Sequence, residues 1–273
     1  MGNESVAVEF DKVSLAFDDL VVLKDLSFSV PTGSMRILLG ASGAGKSLVL
    51  KLALGLCRPD SGTIVVNGNR VTEMSELELL KMRADVGMVF QENALFDSLT
   101  VAENVGYRLY EETATPLEEV RARVEEVLAF LGLNEFIDRM PSSLSGGQRR
   151  RVGIGRAMAS KPQLMLFDDS TTGLDPVISA TVDDEIVKLR DLEQVTSLVV
   201  TQQIRDAVYI ATHKTTRDKN TLEVVPVGES DDTRTSFMVL HEGRILFEGS
   251  VSELMASKDP YLERFLYRTV PPW

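Results

Sequence analysis

Eight residues, Gly40-Ala41-Ser42-Gly43-Ala44-Gly45-Lys46-Ser47, follow the spacing G-x-x-x-x-G-K-S between the apolar run Met35 to Leu39 and a second apolar run that starts at Leu48. Strand, glycine-rich turn and helix in that order make a phosphate cradle. The glycines let successive backbone N–H groups turn inward, and the helix N-terminus adds its positive dipole end. In such a loop Lys46 reaches the β- and γ-phosphates of a nucleoside triphosphate, and Ser47 ligates Mg²⁺. Far downstream, the apolar residues Leu164 to Phe167 run straight into two neighbouring acids, Asp168 and Asp169. Unpaired buried charge is costly, so a strand that ends this way needs a cation to face. Beside the cradle, Asp168 fits the Mg²⁺ coordination sphere and Asp169 fits a general base aimed at an attacking water. Read without the cradle, the same pair is merely two solvated acids at a strand end.

A second anion site is written at Ser145-Gly146-Gly147-Gln148. Ser145 is a good N-cap, and the residues after it have helical character through Ala159. Gly146 and Gly147 then present backbone N–H groups at a helix N-terminus. One chain therefore carries two phosphate cradles, which one nucleotide cannot easily use within a single protomer.

Leu144-Ser145-Gly146-Gly147-Gln148, followed by Leu164-Met-Leu-Phe-Asp168-Asp169-Ser-Thr-Thr-Gly-Leu-Asp175-Pro, closely resembles the ATPase subunits of ABC transporters, along essentially the whole chain. The resemblance implies an α/β fold of the P-loop NTPase type with a mixed-sheet core and an inserted α-helical subdomain. It further implies a head-to-tail homodimer, with ATP and Mg²⁺ held between one P-loop and the partner's Ser145–Gln148. Phe17 matches the aromatic that stacks on adenine; the competing reading is a core phenylalanine on an alternating strand. Gln91, which ends the strand reading Asp85 to Gln91, matches the glutamine that touches Mg²⁺ and the attacking water. Leu174-Asp175 matches the loop that crosses the dimer interface. The expected partners are integral-membrane permease subunits, and the expected location is cytoplasmic, peripheral on the membrane's inner face.

Within the family, Asn93 to Val105 looks like the Mla/Mce branch, whose members move lipids between membranes, and so does the tail from Asp259 to Arg268. An amphipathic loop and a terminal packing helix account for both segments too, and a polar amino-acid importer is the alternative. Three positions depart from the family's pattern: Asp169 stands where most relatives have Glu, Ser170 where they have Pro, and Gln202 where they have His. Asp is one methylene shorter than Glu, and a displacement of that order can cost about 10²-fold. Gln202 can donate an amide hydrogen bond to the γ-phosphate but cannot carry a proton. Binding is expected to survive these changes, and a nucleotide-gated subunit with weak or absent hydrolysis stays open beside the ATPase.

The rest of the chain must position these groups. Residues 1–91 and 161–273 read as the nucleotide-binding core, and 92–160 as the helical subdomain. In the latter, Thr115 as N-cap, Pro116 at the first helical position and Glu118 closing a capping box start a helix. Its apolar stripe is Val120, Val124, Val127, Leu128 and Leu131. Arg149 to Arg151 read as helix surface and ion pairing. Residues 212–236 are atypical of the family; the alternating Thr221 to Val227 and the turn-forming Gly228 to Asp232 suggest an extra surface hairpin. Of 273 residues, 44% are hydrophobic and 26% charged, which fits a globular protein with a full core. The net charge of -12 argues against nucleic acid or anionic lipid as direct partners. No apolar run is long enough to span a membrane, so no direct membrane insertion is expected. The opening Met1 to Lys12 is acidic, lacks a signal peptide's basic start, and misses the myristoylation pattern at Val6. The single cysteine, Cys57, rules out an internal disulfide and reads as a small core residue, catalysis being a remote alternative.

Overall fold

The computed structural model describes residues 5–112, 114–218, 221–227 and 234–269. In chain order its elements are strands β1 (Val6–Phe17), β2 (Leu20–Pro31) and β3 (Met35–Leu39), helix α1 (Lys46–Ala53), strands β4 (Ser61–Val66) and β5 (Asn69–Arg70), helix α2 (Glu76–Arg83) and strand β6 (Val86–Val89). Helices α3 (Val101–Glu112), α4 (Leu117–Phe130) and α5 (Gly146–Met158) come next, then strand β7 (Leu164–Asp168), helix α6 (Pro176–Lys188), strand β8 (Thr196–Thr201) and helix α7 (Ile204–Thr212). Strands β9 (His213–Asp218), β10 (Thr221–Pro226), β11 (Thr235–His241) and β12 (Arg244–Gly249) and helices α8 (Val251–Met255) and α9 (Pro260–Thr269) complete the chain.

The six-stranded sheet has the order β12-β11-β3-β8-β7-β6, parallel except for β12 at one edge. Strands β3, β7 and β8 are buried on both faces, which is why they read as near-continuous apolar runs. Alternation sorts the side chains of the sheet. Ile37, Phe167, Val199 and Phe237 point into one core with α3, α4, α5, α6 and α7. Leu38, Leu166, Leu198 and Met238 point into a second core, shared with α1 and an antiparallel sheet of order β2-β1-β4-β5. Helical and antiparallel layers therefore flank a central parallel sheet, and a mixed-sheet α/β core is what the structure shows.

Between β6 and β7 the described elements are all helical. The stripe Val120, Val124, Val127, Leu128 and Leu131 is buried as its spacing requires. At the start of α4, Pro116 rather than Thr115 occupies the N-cap, with no side-chain cap bond, so the expected capping box does not form. Proline fixes its own φ and offers no N–H, which moves the helix start one residue on. In the atypical segment β10 pairs antiparallel with the preceding β9 rather than across Gly228 to Asp232; that expected turn, like Met1 to Glu4, lies outside the described residues.

One buried arginine ties that hairpin to the core. Leu189–Glu193 forms a π-helical turn, and there Arg190 makes a fork with Asp191, Nε to Oδ1 at 2.7 Å and Nη2 to Oδ2 at 3.1 Å. Its Nη groups also donate to the carbonyls of Ile210 and His213, each at 2.6 Å. Asp191 in turn accepts the Thr215 N–H at 2.7 Å. The end of α7 and the first strand of the insertion thus share one ion pair.

Candidate nucleotide site

Four adjacent parallel strands, β3, β8, β7 and β6, end at the same edge of the sheet, and each delivers a candidate group there. Ligands of open α/β sheets bind in the crevice beyond such carboxyl ends. After β3 comes the glycine loop. Gly43 and Gly45 have φ of 79° and 97°, left-handed values that side chains resist. A Cβ at Gly40 would stand 2.8 Å from the Leu240 carbonyl oxygen, and one at Gly45 would stand 2.9 Å from the Val22 side chain. The loop is therefore wedged between β11 and β2 and fits only as glycine. Among the described residues no carbonyl of the fold takes the N–H groups of Gly43, Gly45, Lys46 or Ser47, which leaves them for an anion.

Lys46 is buried, and its Nζ donates to the carbonyls of Gly40 at 2.9 Å and Ala41 at 3.0 Å. Burial pulls its pKa below the ordinary lysine value, while Asp169 and Asp168 oppose that shift. Ser47 Oγ donates to Asp168 Oδ1 at 2.7 Å, joining two residues 121 positions apart. Burial pushes the Asp168 carboxyl above the usual range; the Ser47 bond lowers it, Asp169 raises it, and Lys51 and Lys46 lower it. A hydroxyl and a carboxylate already in contact suit Mg²⁺, which takes one or two carboxylates plus substrate phosphates rather than an all-protein cage. No cluster of three or more His, Cys, Asp or Glu able to hold a metal occurs among the described residues.

Asp169 lies just past β7 at φ 44°, its N–H bonded to the Val200 carbonyl at 2.8 Å. One carboxylate oxygen accepts the Gln202 N–H at 3.1 Å, so the residues after β7 and β8 are linked directly. Gln91 is exposed and sits two residues beyond the end of β6 rather than on it. Phe17 is 54% exposed at the tip of the β1–β2 hairpin, whose Val22 and Leu23 touch the glycine loop. The core reading of Phe17 is thereby excluded. Cys57 is half-buried rather than fully in the core.

Ser145 to Gln148 are placed apart, against α6. Ser145 caps α5: its Oγ accepts the Gln148 N–H at 3.2 Å, and Gln148 Oε1 accepts the Ser145 N–H at 2.8 Å. That box leaves Gly146 and Gly147 to offer their N–H groups. A Cβ on Gly147 would collide with the Ile178 side chain, and one on Gly146 would meet Leu174 at 3.3 Å. Asp175 caps α6 through Val177 and Ile178, both at 3.1 Å. The second cradle and the Leu174-Asp175 loop therefore form one contiguous surface.

Two features correct or extend the sequence reading. Among the described residues Arg149, Arg150 and Arg151 make no ion pairs; they donate to the carbonyls of Leu144, Phe90 and Leu131, and Arg150 is only 3% exposed. A charge run carries no mark of which carbonyls it will cap. The tail forms α9, capped by Asp259 and held to β11 by stacking of Tyr261 on His241 at 3.6 Å. With Ala41, Ser42, Gln202 and Gln203 it walls a cleft of about 510 Å³ beside the glycine loop. A terminal packing helix is one of the two readings of this segment; its docking place beside the glycine loop was not legible.

A family model described as ABC transporter matches residues 23–172. The methionine import ATP-binding protein MetN of Myxococcus xanthus is 38% identical over 252 residues, covering 91% of this chain and 68% of its own length. The probable ribonucleotide transport ATP-binding protein mkl of Mycobacterium tuberculosis is 36% identical over 202 residues, covering 74% of this chain and 56% of its own. Among solved structures, the dimeric ATP-binding cassette MJ0796 in a post-hydrolysis state bound to ADP and Pi superposes with a TM-score of 0.72 at 27% identity, covering 89% of this chain and 98% of that one.

Proposed function

The chain belongs to the ABC transporter family, and on that premise we propose that it is the ATP-binding subunit of a transporter, peripheral on the cytoplasmic face through integral-membrane permease subunits. Two copies close head to tail on two ATP molecules, each between one glycine loop and the other's Ser145–Gln148. The observation that carries this reading is the joining of Lys46, Ser47, Asp168, Asp169 and Gln202 at the ends of adjacent strands, with Ser145–Gln148 held outside that group. Lys46 supplies the positive charge for the phosphates, Ser47 and Asp168 hold Mg²⁺ with Gln91, Asp169 with Gln202 orients water, and Phe17 stacks on the base. When bound there, Mg²⁺ would neutralise phosphate charge. Residues 1–91 and 161–273 act as the nucleotide core, and 92–160 as the unit that presents the second cradle.

The test pairs two substitutions. Lys46→Ala should abolish tight ATP binding, whereas Ser145→Arg should spare binding by the single chain and prevent ATP-dependent dimerisation in sedimentation. Unchanged binding in the first, or an intact dimer in the second, would refute the assignment. For cargo we favour a lipid, on the likeness of Asn93 to Val105 and of the tail to the Mla/Mce branch. The methionine importer at 38% identity favours amino-acid import instead. Mass spectrometry of subunits and lipids co-purified from membranes decides between them. The turn at Asp169 favours slow turnover, which steady-state phosphate release from the assembled complex measures.

A further inference from the structure

Helix α9 is fastened beside the glycine loop by a chain of short contacts. The Leu240 carbonyl oxygen of β11 lies 2.8 Å from the place of a Cβ on Gly40, so the end of β11 abuts the first residue of the loop. The next residue, His241, stacks on Tyr261 with ring centroids 3.6 Å apart, and Tyr261 continues the stack to Phe265 at 5.8 Å. Asp259 fixes the start of the helix by accepting the N–H groups of Tyr261 and Leu262 at 2.8 and 3.1 Å. Residues 261, 264 and 265 share one helix face. That face closes the cleft of about 510 Å³ that Ala41, Ser42, Gln202 and Gln203 line from the other side.

The cleft lies at the terminal-phosphate end of the loop. Val22 and Leu23 approach Gly45, so the hairpin that carries Phe17, and with it the base, belongs to the opposite side. The Gln202 N–H is bonded at 3.1 Å to Asp169, the group assigned to the attacking water, which puts the attacked phosphate at this end. Among the described residues seven line the cleft, and Arg264 is the only charged one. Gln202 offers an amide but no charge. Lys46 Nζ is shared between the carbonyls of Gly40 and Ala41. Arg264 is exposed and bonds the fold only through Nε, which donates to the Pro260 carbonyl at 3.0 Å; its two Nη groups take no bond among the described residues. A planar guanidinium with such N–H groups to offer matches a phosphate bidentately.

We propose that Arg264 belongs to the nucleotide site and recognises the terminal phosphate, an assignment that rests on the nucleotide reading above. Its guanidinium supplies at the γ-phosphate the positive charge that Gln202 cannot, so α9 makes the site prefer a triphosphate to a diphosphate. ADP has no phosphate at that place and leaves Arg264 in water. The same arginine, supplied by the chain that binds the nucleotide, meets the charge that spreads over the phosphoryl oxygens as the bond breaks.

The test titrates the full chain with Mg²⁺ and either the non-hydrolysable triphosphate AMP-PNP or ADP, below the concentration at which the chain dimerises. Arg264→Gln should weaken AMP-PNP binding about tenfold, the low end for a charge-assisted hydrogen bond at an open site, and leave ADP within about twofold. Arg264→Lys should recover part of the loss, and added salt should narrow the gap between the wild type and Arg264→Gln. Glu263→Gln, an exposed neighbour on the same helix that does not line the cleft, should move neither nucleotide. Equal loss of both nucleotides in Arg264→Gln would overturn the proposal, because the arginine would then merely seat α9. Unchanged AMP-PNP binding would overturn it too, and a change confined to dimerisation would assign Arg264 to the partner chain instead. A wild type that binds neither nucleotide, or a Lys46→Ala chain that binds both as the wild type does, would sink the nucleotide site itself.

Discussion

Lengthening Asp169 by one carbon tests the catalytic reading most directly. The carboxylate is held on a left-handed backbone at φ 44°, with one oxygen taken by the Gln202 N–H at 3.1 Å, so its reach into the site is fixed. Asp169→Glu extends that reach by one carbon–carbon bond, about 1.5 Å. A positioned base contributes about 10²–10⁴-fold, and a misplacement near 1 Å can forfeit about 10² of it. Turnover should therefore rise by about tenfold or more. The same change should cost stability. Glu is less at ease than Asp on a left-handed backbone, and the charge-assisted bond to Gln202 is worth roughly 1.5–3 kcal/mol. With the bond lost, Tm should fall by about 3–10 °C, scaling from chains of roughly 150–250 residues. Asp169→Asn reverses the pattern: the amide oxygen still accepts from Gln202, while the base and the charge facing Lys46 and Arg150 are gone. It should trap the ATP dimer and turn over least. Steady-state phosphate release with saturating Mg-ATP, beside thermal melts of the three proteins, reads both effects. Equal turnover in the Asp and Glu forms, with or without Gln202→His, would refute the idea that carboxylate reach limits the rate.

Phe17→Ala should weaken ATP binding by roughly 1–3 kcal/mol, the usual worth of base stacking on an aromatic, without lowering Tm, because the ring is already exposed; equilibrium titration checks it. Asp183 is buried on α6 with an orphaned Oδ1, and burial, then Asp206, raise its pKa well above the usual carboxylate range, Arg205 lowering it and Asp184 raising it further. Because the folded-state value exceeds the unfolded one, its favourable contribution is complete at acid pH and is lost as pH climbs through the raised value. Asp183→Asn should therefore raise Tm at pH 8 and not at pH 4, each tenfold difference in proton affinity between the folded and unfolded chain being worth about 1.4 kcal/mol. Arg190→Met should lower stability by about 3–5 kcal/mol, seen as a drop in denaturant midpoint, since it strands Asp191 and the carbonyls of Ile210 and His213.

What the sequence showed was what a short window dictates. The strand, glycine turn and helix around Lys46 are one local unit, and the Ser145 capping box closes over three residues. Of the β9–β10 pair only Thr221 to Val227 announced itself by alternation; its partner His213–Asp218 lies before it, not after the turn-forming Gly228 to Asp232. What it hid was long-range. The Ser47–Asp168 bond spans 121 positions, and which oxygen of Asp169 the Gln202 backbone would take depends on how β7 and β8 register. Arg149 to Arg151 misled because polar sequence predicts exposure, whereas this helix turns its arginines onto carbonyls at the ends of other elements. Gln91 slipped off its strand because β6 ends at Val89, before the loop that Arg150 holds.

The exposed tip of the β1–β2 hairpin has a colloidal consequence. Strand β2 is the outer strand of its sheet; the Gly243 carbonyl takes the Lys24 N–H at 2.9 Å and shields it from there on, but Phe17, Leu20 and Val21 stand 54%, 67% and 58% exposed. An uncovered apolar tip beside an open strand edge is adhesive between molecules. Shelf life is thus set at this tip: concentrated without nucleotide, the chain should cloud by tip-to-tip contact, and Leu20→Lys should keep it clear while leaving the glycine loop untouched.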